Sequence, residues 1–155
     1  MIFKKAFTLI ELLVVIAIIA ILAAVVFVAL NPVQRFQDAR NSTRISDVNS
    51  ILTAVHEYIV DNGGQLPTGM STGMAETQLG TAGSGATVTA GGNACGTSAA
   101  ALNLSVPLAQ YLVSIPVDPN GTAALTGYSV TANANSIVTV RACDSEGGAT
   151  IQVSR

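Results

Sequence analysis

The longest pattern in the sequence is an apolar run close to its N-terminal end. From Phe7 to Leu30 the only polar side chains are those of Thr8 and Glu11. About 20 consecutive apolar residues in a helix are enough to cross the hydrocarbon core of a bilayer, and this run is longer. The sequence therefore predicts a membrane-spanning helix over residues 7–30.

A cleaved secretory signal peptide is the alternative interpretation of this run. Such a peptide has an apolar region of roughly 7–15 residues, which ends in a small-residue cleavage site of the A-x-A kind. The run from Phe7 to Leu30 exceeds that length and contains no A-x-A sequence. We therefore interpret it as a helix that the protein retains.

Basic residues on one side of the run predict its orientation. Lys4 and Lys5 lie just before it, and the next basic residue is Arg35. Because Lys and Arg flanking a span tend to stay in the cytoplasm, we expect the N-terminus inside and everything after Leu30 outside.

A second helical pattern follows Asn31-Pro32, where proline predicts a kink or a short unwound stretch. Apolar residues at three- and four-residue steps predict an amphipathic helix, and they are Phe36, Ile45, Val48, Ile51, Leu52, Val55 and Ile59. The charged residues of this segment fall on its other faces, and they are Arg35, Asp38, Arg40, Arg44 and Asp47. Arg35 and Asp38, and likewise Arg44 and Asp47, are three residues apart and so at pairing distance. Asn62-Gly63-Gly64 predicts the end of this helix.

The remainder of the chain predicts a small β domain. Residues 65–103 are rich in Gly, Thr, Ser and Ala and lack aromatic residues, which is typical of a long surface loop. Leu108–Val113 is predicted as a short helical turn or an extended connector. Alternation of apolar and polar residues predicts three strands, at Tyr128–Ala132, Ile137–Arg141 and Thr150–Val153. Because three short strands need a partner for one face, we expect an α+β fold with a long N-terminal helix packed on a small antiparallel sheet.

Charge and motif content exclude two broad functions. The formal net charge is −2, so the chain lacks the basic surface of a general nucleic-acid binder. The sequence contains no G-x-S-x-G, H-E-x-x-H or P-loop pattern, and its two cysteines lack metal-ligand spacing. We therefore predict no enzymatic activity, and a packed or solvated position for His56, the only histidine.

The two cysteines, Cys95 and Cys143, fall in the part of the chain that we expect outside the membrane. Disulfides persist in such compartments, and two cysteines allow one internal pairing. The sequence thus predicts a Cys95–Cys143 disulfide, with free or intermolecular thiols as the alternative.

The N-terminal segment resembles the processing and assembly signal of type IV pilins and type II secretion pseudopilins. That signal combines a basic leader, a small residue, a phenylalanine and a glutamate four residues on, which here are Lys4, Lys5, Ala6, Phe7 and Glu11. The resemblance implies that a prepilin peptidase cuts between Ala6 and Phe7 and methylates the new amine. Ala6 stands where the family usually has glycine.

The same resemblance implies a division of the chain and a set of partners. Residues 1–6 would be a leader peptide, 7–30 the transmembrane and filament-core helix, and 31–62 an amphipathic half of that helix. Residues 63–155 would form a small globular domain with a long loop and C-terminal strands. The implied partners are further copies of the chain, the prepilin peptidase and an inner-membrane assembly platform, and no cofactor is implied.

Glu11 is the predicted assembly residue. A carboxylate in an apolar helix is costly in lipid, and a buried charge persists only when it is paired. The resemblance supplies a partner, the positive amine that cleavage would create on Phe7 of a neighbouring subunit.

Three functions remain open at this point. The first is a structural subunit of a type IV pilus that serves adhesion, twitching motility or DNA uptake. The second is a pseudopilin of a type II secretion system, and the third is a membrane-anchored binding domain that does not polymerise. Glu11 argues against the third, and disulfide-closed C-terminal regions, more typical of pilins, favour the first. The subunit would span the inner membrane once, and would then enter an extracellular pilus or a periplasmic pseudopilus.

Calcium binding is an additional possibility for the C-terminal region. Major pseudopilins bind calcium in a C-terminal loop, and carboxylate oxygens are its usual ligands. The candidate ligands here are Asp118, Asp144 and Glu146. The alternative is that Asp118 and the residues that follow it only form a turn.

Overall fold

The computed structural model describes residues 7–83, 95–96 and 100–155. Lys4, Lys5 and Ala6, which belong to the expected leader, therefore lie outside the described residues. The chain forms two compact units, of which one ends at Phe36 and the other comprises Gln37–Arg155.

The first unit contains the apolar helix α1, Leu9–Leu30. Thr8 is its N-cap, in an extended backbone conformation. Every side chain from Leu9 to residue 29 is exposed, which includes large groups such as Phe27 at 72 % and Ile21 at 65 %. A helix of this length is about 33 Å long, which matches the hydrocarbon thickness of a bilayer. Among the described residues, one helical stretch is long and apolar enough to span a membrane, and α1 is its apolar part.

The predicted interruption at Asn31-Pro32 is confirmed. Asn31 ends α1 in the left-handed conformation, with φ 36°, and helix α2 begins at the next residue and extends over Pro32–Asp61. Proline suits the first position of a helix because it has no N–H to leave unpaired there. The Asn31 carbonyl accepts hydrogen bonds from the backbone N–H groups of Gln34 and Arg35, at 3.1 and 3.3 Å.

The apolar stripe predicted along α2 is only partly correct. Val48, Ile51 and Val55 are fully buried, but Phe36 and Ile45 are 65 % and 51 % exposed. α2 ends at Asp61, and the N–H of Gly64 then bonds the carbonyl of Ile59 at 2.8 Å. This closure needs a left-handed residue, which Gly63 supplies with φ 64°.

Within the described part of the chain, four strands form one antiparallel sheet in the order β1-β2-β3-β4. They are β1 (Met74–Gln78), β2 (Tyr128–Ala132), β3 (Val138–Ala142) and β4 (Gln152–Ser154). β2 has the predicted limits, β3 begins one residue later than predicted, and β4 is shorter and later. β1 lies in the segment predicted to be a loop, so that part of the prediction is wrong.

The core of the second unit lies between α2 and one face of the sheet. The apolar residues that alternate along β2 and β3 are buried, including Tyr128, Val130, Val138 and Val140, as the period of two requires. They form one cluster with Val48, Ile51, Leu52 and Val55 of α2, and with Leu79, Leu104 and Leu108 from the connecting segments. The α+β class predicted from the sequence is confirmed.

Candidate functional site

The N-terminus of α1 is closed by a capping box. The Glu11 carboxylate oxygen Oε2 accepts hydrogen bonds from the backbone N and the Oγ1 of Thr8, both at 2.8 Å. In return, the Glu11 backbone N donates to Thr8 Oγ1 at 3.3 Å. This arrangement satisfies donors that every helix N-terminus leaves without an intrahelical partner.

The prediction of Glu11 as an assembly residue does not include this local capping role. The signal was present, because a threonine followed three residues later by glutamate before an apolar run is the pattern of a capping box. The Glu11 carboxylate is thus bonded to Thr8, the residue that follows Phe7. It is the acidic residue of an otherwise apolar helix surface.

A second polar site lies in the other unit, where α2 meets the C-terminal loops. Arg44 is fully buried, and its Nε and Nη2 donate to the two carboxylate oxygens of Asp118, the latter at 3.0 Å. Arg44 Nη1 also donates to Glu146 Oε2 at 3.1 Å. The predicted position of Arg44 on a face of the helix away from the apolar stripe is wrong, because the side chain is buried.

Glu146 is bound to α2 at several points. Arg40 donates to both of its carboxylate oxygens, at 2.7 and 2.8 Å. The Asn41 amide donates to the Glu146 carbonyl at 2.9 Å and accepts from the Glu146 backbone N at 3.1 Å. The hydrogen bonds from Arg40 hold the pKa of Glu146 below its usual value.

Asp47, the expected partner of Arg44, has a different contact. Its carboxylate accepts a 2.6 Å hydrogen bond from the hydroxyl of the buried Tyr128. Burial of Tyr128, together with this bond to a carboxylate, raises the pKa of the phenol. The residues 40, 41, 44 and 47 therefore form a polar edge of α2 that contacts the sheet and its loops.

The calcium candidates do not have the geometry of a calcium site. Arginine side chains occupy both oxygens of Asp118 and both oxygens of Glu146. Asp144 has one buried oxygen, Oδ1, without a hydrogen-bond partner. Among the described residues, no group of three or more His, Cys, Asp or Glu side chains is arranged to hold a metal ion. The carboxylates of Asp118 and Glu146 are turned toward guanidinium groups, which leaves Asp144 as the candidate with an unengaged oxygen.

The expected disulfide between Cys95 and Cys143 is present in the structure. Both half-cystines are fully buried, and Cys143 directly follows β3. On the same sheet, Glu76 of β1 accepts hydrogen bonds from Arg141 of β3 at 2.7 and 3.1 Å. Covalent and ionic cross-links therefore connect segments that are distant in sequence.

His56 lies beside an open groove of about 420 Å³, which α2 forms together with Tyr111 and Arg155. Its Nε2 is 3.1 Å from the backbone carbonyl oxygen of Arg155. Tyr111 borders the same groove and donates to Asp61 at 2.9 Å. These contacts connect α2 to neighbouring segments, as a packed helix histidine would.

Comparison with known proteins identifies the N-terminal segment. Residues 1–27 match the family described as the prokaryotic N-terminal methylation motif. This motif is the prepilin signal of type IV pilins and pseudopilins, and its match extends over the capped N-terminus and most of α1. Neither the curated proteins nor the solved structures contain a significant match.

Proposed function

We propose that this chain is a structural subunit of a type IV pilus, processed at Ala6–Phe7 and assembled through α1. The observation that carries the proposal is a methylation motif on a helix that exposes apolar side chains on every side, with one acid at its start. In this account residues 1–6 are removed and 7–30 form the filament core. Residues 31–62 connect the core to the globular domain, 63–155.

The exposure of α1 supports a change of surroundings during assembly. A side chain such as Phe27 or Ile21 is too costly to leave in water, because burial of such a group is worth about 1.5–3 kcal/mol. Lipid would cover these side chains in the membrane-anchored precursor. Neighbouring α1 helices would cover them once the subunit leaves the membrane for the filament.

Glu11 supports an ordered assembly over unspecific clustering. In the subunit its carboxylate is bonded to Thr8, and so it is partly satisfied before assembly. A full negative charge within a bundle of apolar helices needs an opposite charge nearby. The amine of Phe7 on a neighbouring subunit supplies it, and a subunit displaced along the bundle would leave both charges unpaired.

Two features of the second unit favour a pilus over a type II secretion pseudopilus. The Cys95–Cys143 disulfide closes the C-terminal region, as is typical of pilins. Two of the three carboxylates considered as calcium ligands, those of Asp118 and Glu146, are paired with Arg40 and Arg44, whereas major pseudopilins bind calcium in a C-terminal loop.

The charge on Glu11 can be tested separately from its capping role. Glutamine also closes a capping box, so Glu11→Gln keeps the helix N-terminus and removes the charge, whereas Glu11→Ala removes both. In a strain that lacks the wild-type copy, we expect both variants to accumulate in the membrane and to form few or no filaments. Filaments are counted by electron microscopy, and subunits by immunoblotting of membranes and of sheared material.

Glu57→Gln is the matched control, because Glu57 is an exposed glutamate on α2. It should form filaments at the wild-type level. Normal filaments from Glu11→Gln cells would show that capping alone accounts for Glu11. Filaments missing from the wild-type strain, with the chain kept in the membrane, would instead favour the anchored domain that does not polymerise.

A further inference from the structure

Three segments that are distant in sequence meet at Arg44. They are the first turns of α2 within the second unit, the turn that contains Asp118, and the loop after β3 that contains Asp144 and Glu146. Arg40 and Asn41 precede Arg44 by four and three residues, so both are its neighbours on the surface of α2. Each of them bonds to the turn or to the loop.

Both oxygens of the Asp118 carboxylate already accept hydrogen bonds from protein groups. One of its oxygens accepts from Arg44 Nε, and the other accepts from Arg44 Nη2 at 3.0 Å and from the Asn120 backbone N at 2.8 Å. Arg44 is 0 % and Asp118 is 2 % exposed, so both charges are shielded from water. A paired guanidinium is bidentate and always charged, which makes it a permanent counter-ion.

Calcium would need a different set of oxygens. It takes 6–8 oxygen ligands at about 2.3–2.6 Å, supplied by carboxylates, carbonyls and water. At this position the described residues offer one unengaged buried carboxylate oxygen, Asp144 Oδ1. Two guanidinium groups already bind Glu146, and their positive charge would repel a divalent cation.

We propose that the Arg44 guanidinium, assisted by Arg40, holds the C-terminal turn and loop on α2 in place of a metal ion. It neutralises the carboxylates of the C-terminal turn and loop and joins both to the helix. The domain then folds, and stays folded, without calcium. The loops are held by a charge that the chain always carries, so they do not respond to the calcium concentration outside the cell.

Thermal unfolding of the purified full-length chain in detergent micelles tests this proposal. The chain has three tyrosines and no tryptophan, and all three tyrosines lie in the second unit, so near-UV circular dichroism reports on that unit. We expect the same unfolding midpoint in millimolar calcium chloride and in EDTA. A midpoint that rises in calcium and falls in EDTA would overturn the proposal.

Substitutions test the role of the arginine. Arg44→Met leaves Asp118 buried without its counter-charge, and we expect the midpoint to fall by about 10 °C or more. Arg35→Met is the control, since Arg35 is an exposed arginine of α2, and its midpoint should stay within about 2 °C of the wild type. An unchanged midpoint for Arg44→Met would refute the proposal.

The double variant Arg44→Met/Asp118→Asn keeps the test decisive if the single variant does not fold. Removing both charges of a buried pair costs less than removing one, and the asparagine oxygen can still accept from the Asn120 N–H. We expect the double variant to fold with a higher midpoint than Arg44→Met, again without a response to calcium. A double variant less stable than Arg44→Met would contradict the charge pairing.

Discussion

At the scale of single residues, two neighbouring acids of the C-terminal loop are held in opposite ways. Asp144 has a buried oxygen without a partner, and burial, followed by the nearby charge of Asp118, raises its pKa. Glu146 is bonded by Arg40 and Arg44, and these bonds lower its pKa. Ionised Asp144 therefore costs stability at neutral pH, whereas ionised Glu146 contributes it.

The two acids should give opposite pH dependences. The folded pKa of Asp144 is raised, so its ionisation costs stability as the pH rises above the pKa of an aspartate in the unfolded chain. Asp144→Asn should thus stabilise the domain by about 1 kcal/mol at pH 7, and the gain should disappear as the pH falls below the usual pKa of an aspartate.

The folded pKa of Glu146 is lowered, so its contribution to stability is present above the pKa that the group has in the unfolded chain. Glu146→Gln should cost about 1–3 kcal/mol at pH 7, and this loss should vanish as the pH falls through the folded pKa.

Urea unfolding of the full-length chain in micelles, repeated from pH 7 to pH 3, measures both effects. Asp38→Asn is a suitable control, because Asp38 is an exposed acid of α2. The account of this loop is wrong if Asp144→Asn destabilises the domain at pH 7, or if the two variants show the same pH slope.

At the scale of elements, α2 contacts the sheet in two chemically different ways. Around Arg40, Arg44 and Asp47 its contacts are ionic and hydrogen-bonded. Further along the helix its contacts are apolar and come from the fully buried side chains of Val48, Ile51 and Val55. The polar part sets which loops meet the helix, and the apolar part provides most of the free energy of burial.

Isoleucine-to-alanine substitution at a buried and at an exposed position of α2 should distinguish the loss of packing from a change in helix propensity. Ile51 is fully buried, so Ile51→Ala should lower the free energy of unfolding by about 2–5 kcal/mol. Ile45 is 51 % exposed, so the same substitution there should cost less than about 1 kcal/mol. Urea unfolding followed by near-UV circular dichroism compares the two variants, and equal losses would contradict the orientation of α2.

The sequence predicted elements well where one face of a periodic pattern is buried. β2 and the Asn31-Pro32 interruption were predicted at their observed positions, because alternation and proline chemistry are local signals. β1 was missed because Met74–Gln78 lies in a Gly- and Thr-rich segment, and its pairing with β2 becomes visible only in the fold. Arg44 was misplaced for a similar reason, since its partners lie 74 and 102 positions further along the chain.

At the scale of the whole molecule, the two units differ in whether they bury their own apolar surface. The first unit exposes an apolar helix that requires lipid or further helices around it. The second unit has a buried apolar core and internal ion pairs, and a buried disulfide joins two residues that are 48 positions apart in the sequence. In the chain-entropy model, a disulfide across that separation contributes about 4 kcal/mol as an upper guide. Such a domain suits the outside of a filament, where no membrane supports it.

The most direct test of the filament account is electron cryomicroscopy of filaments sheared from cells that produce this chain. We expect a helical reconstruction in which α1 helices form the core and density begins at Phe7, without residues 1–6. The amine of Phe7 should lie within about 4 Å of the Glu11 carboxylate of a neighbouring subunit, the distance of an ion pair. Filaments built without this chain, or a core in which Glu11 contacts only its own Thr8 and no amine, would contradict the account.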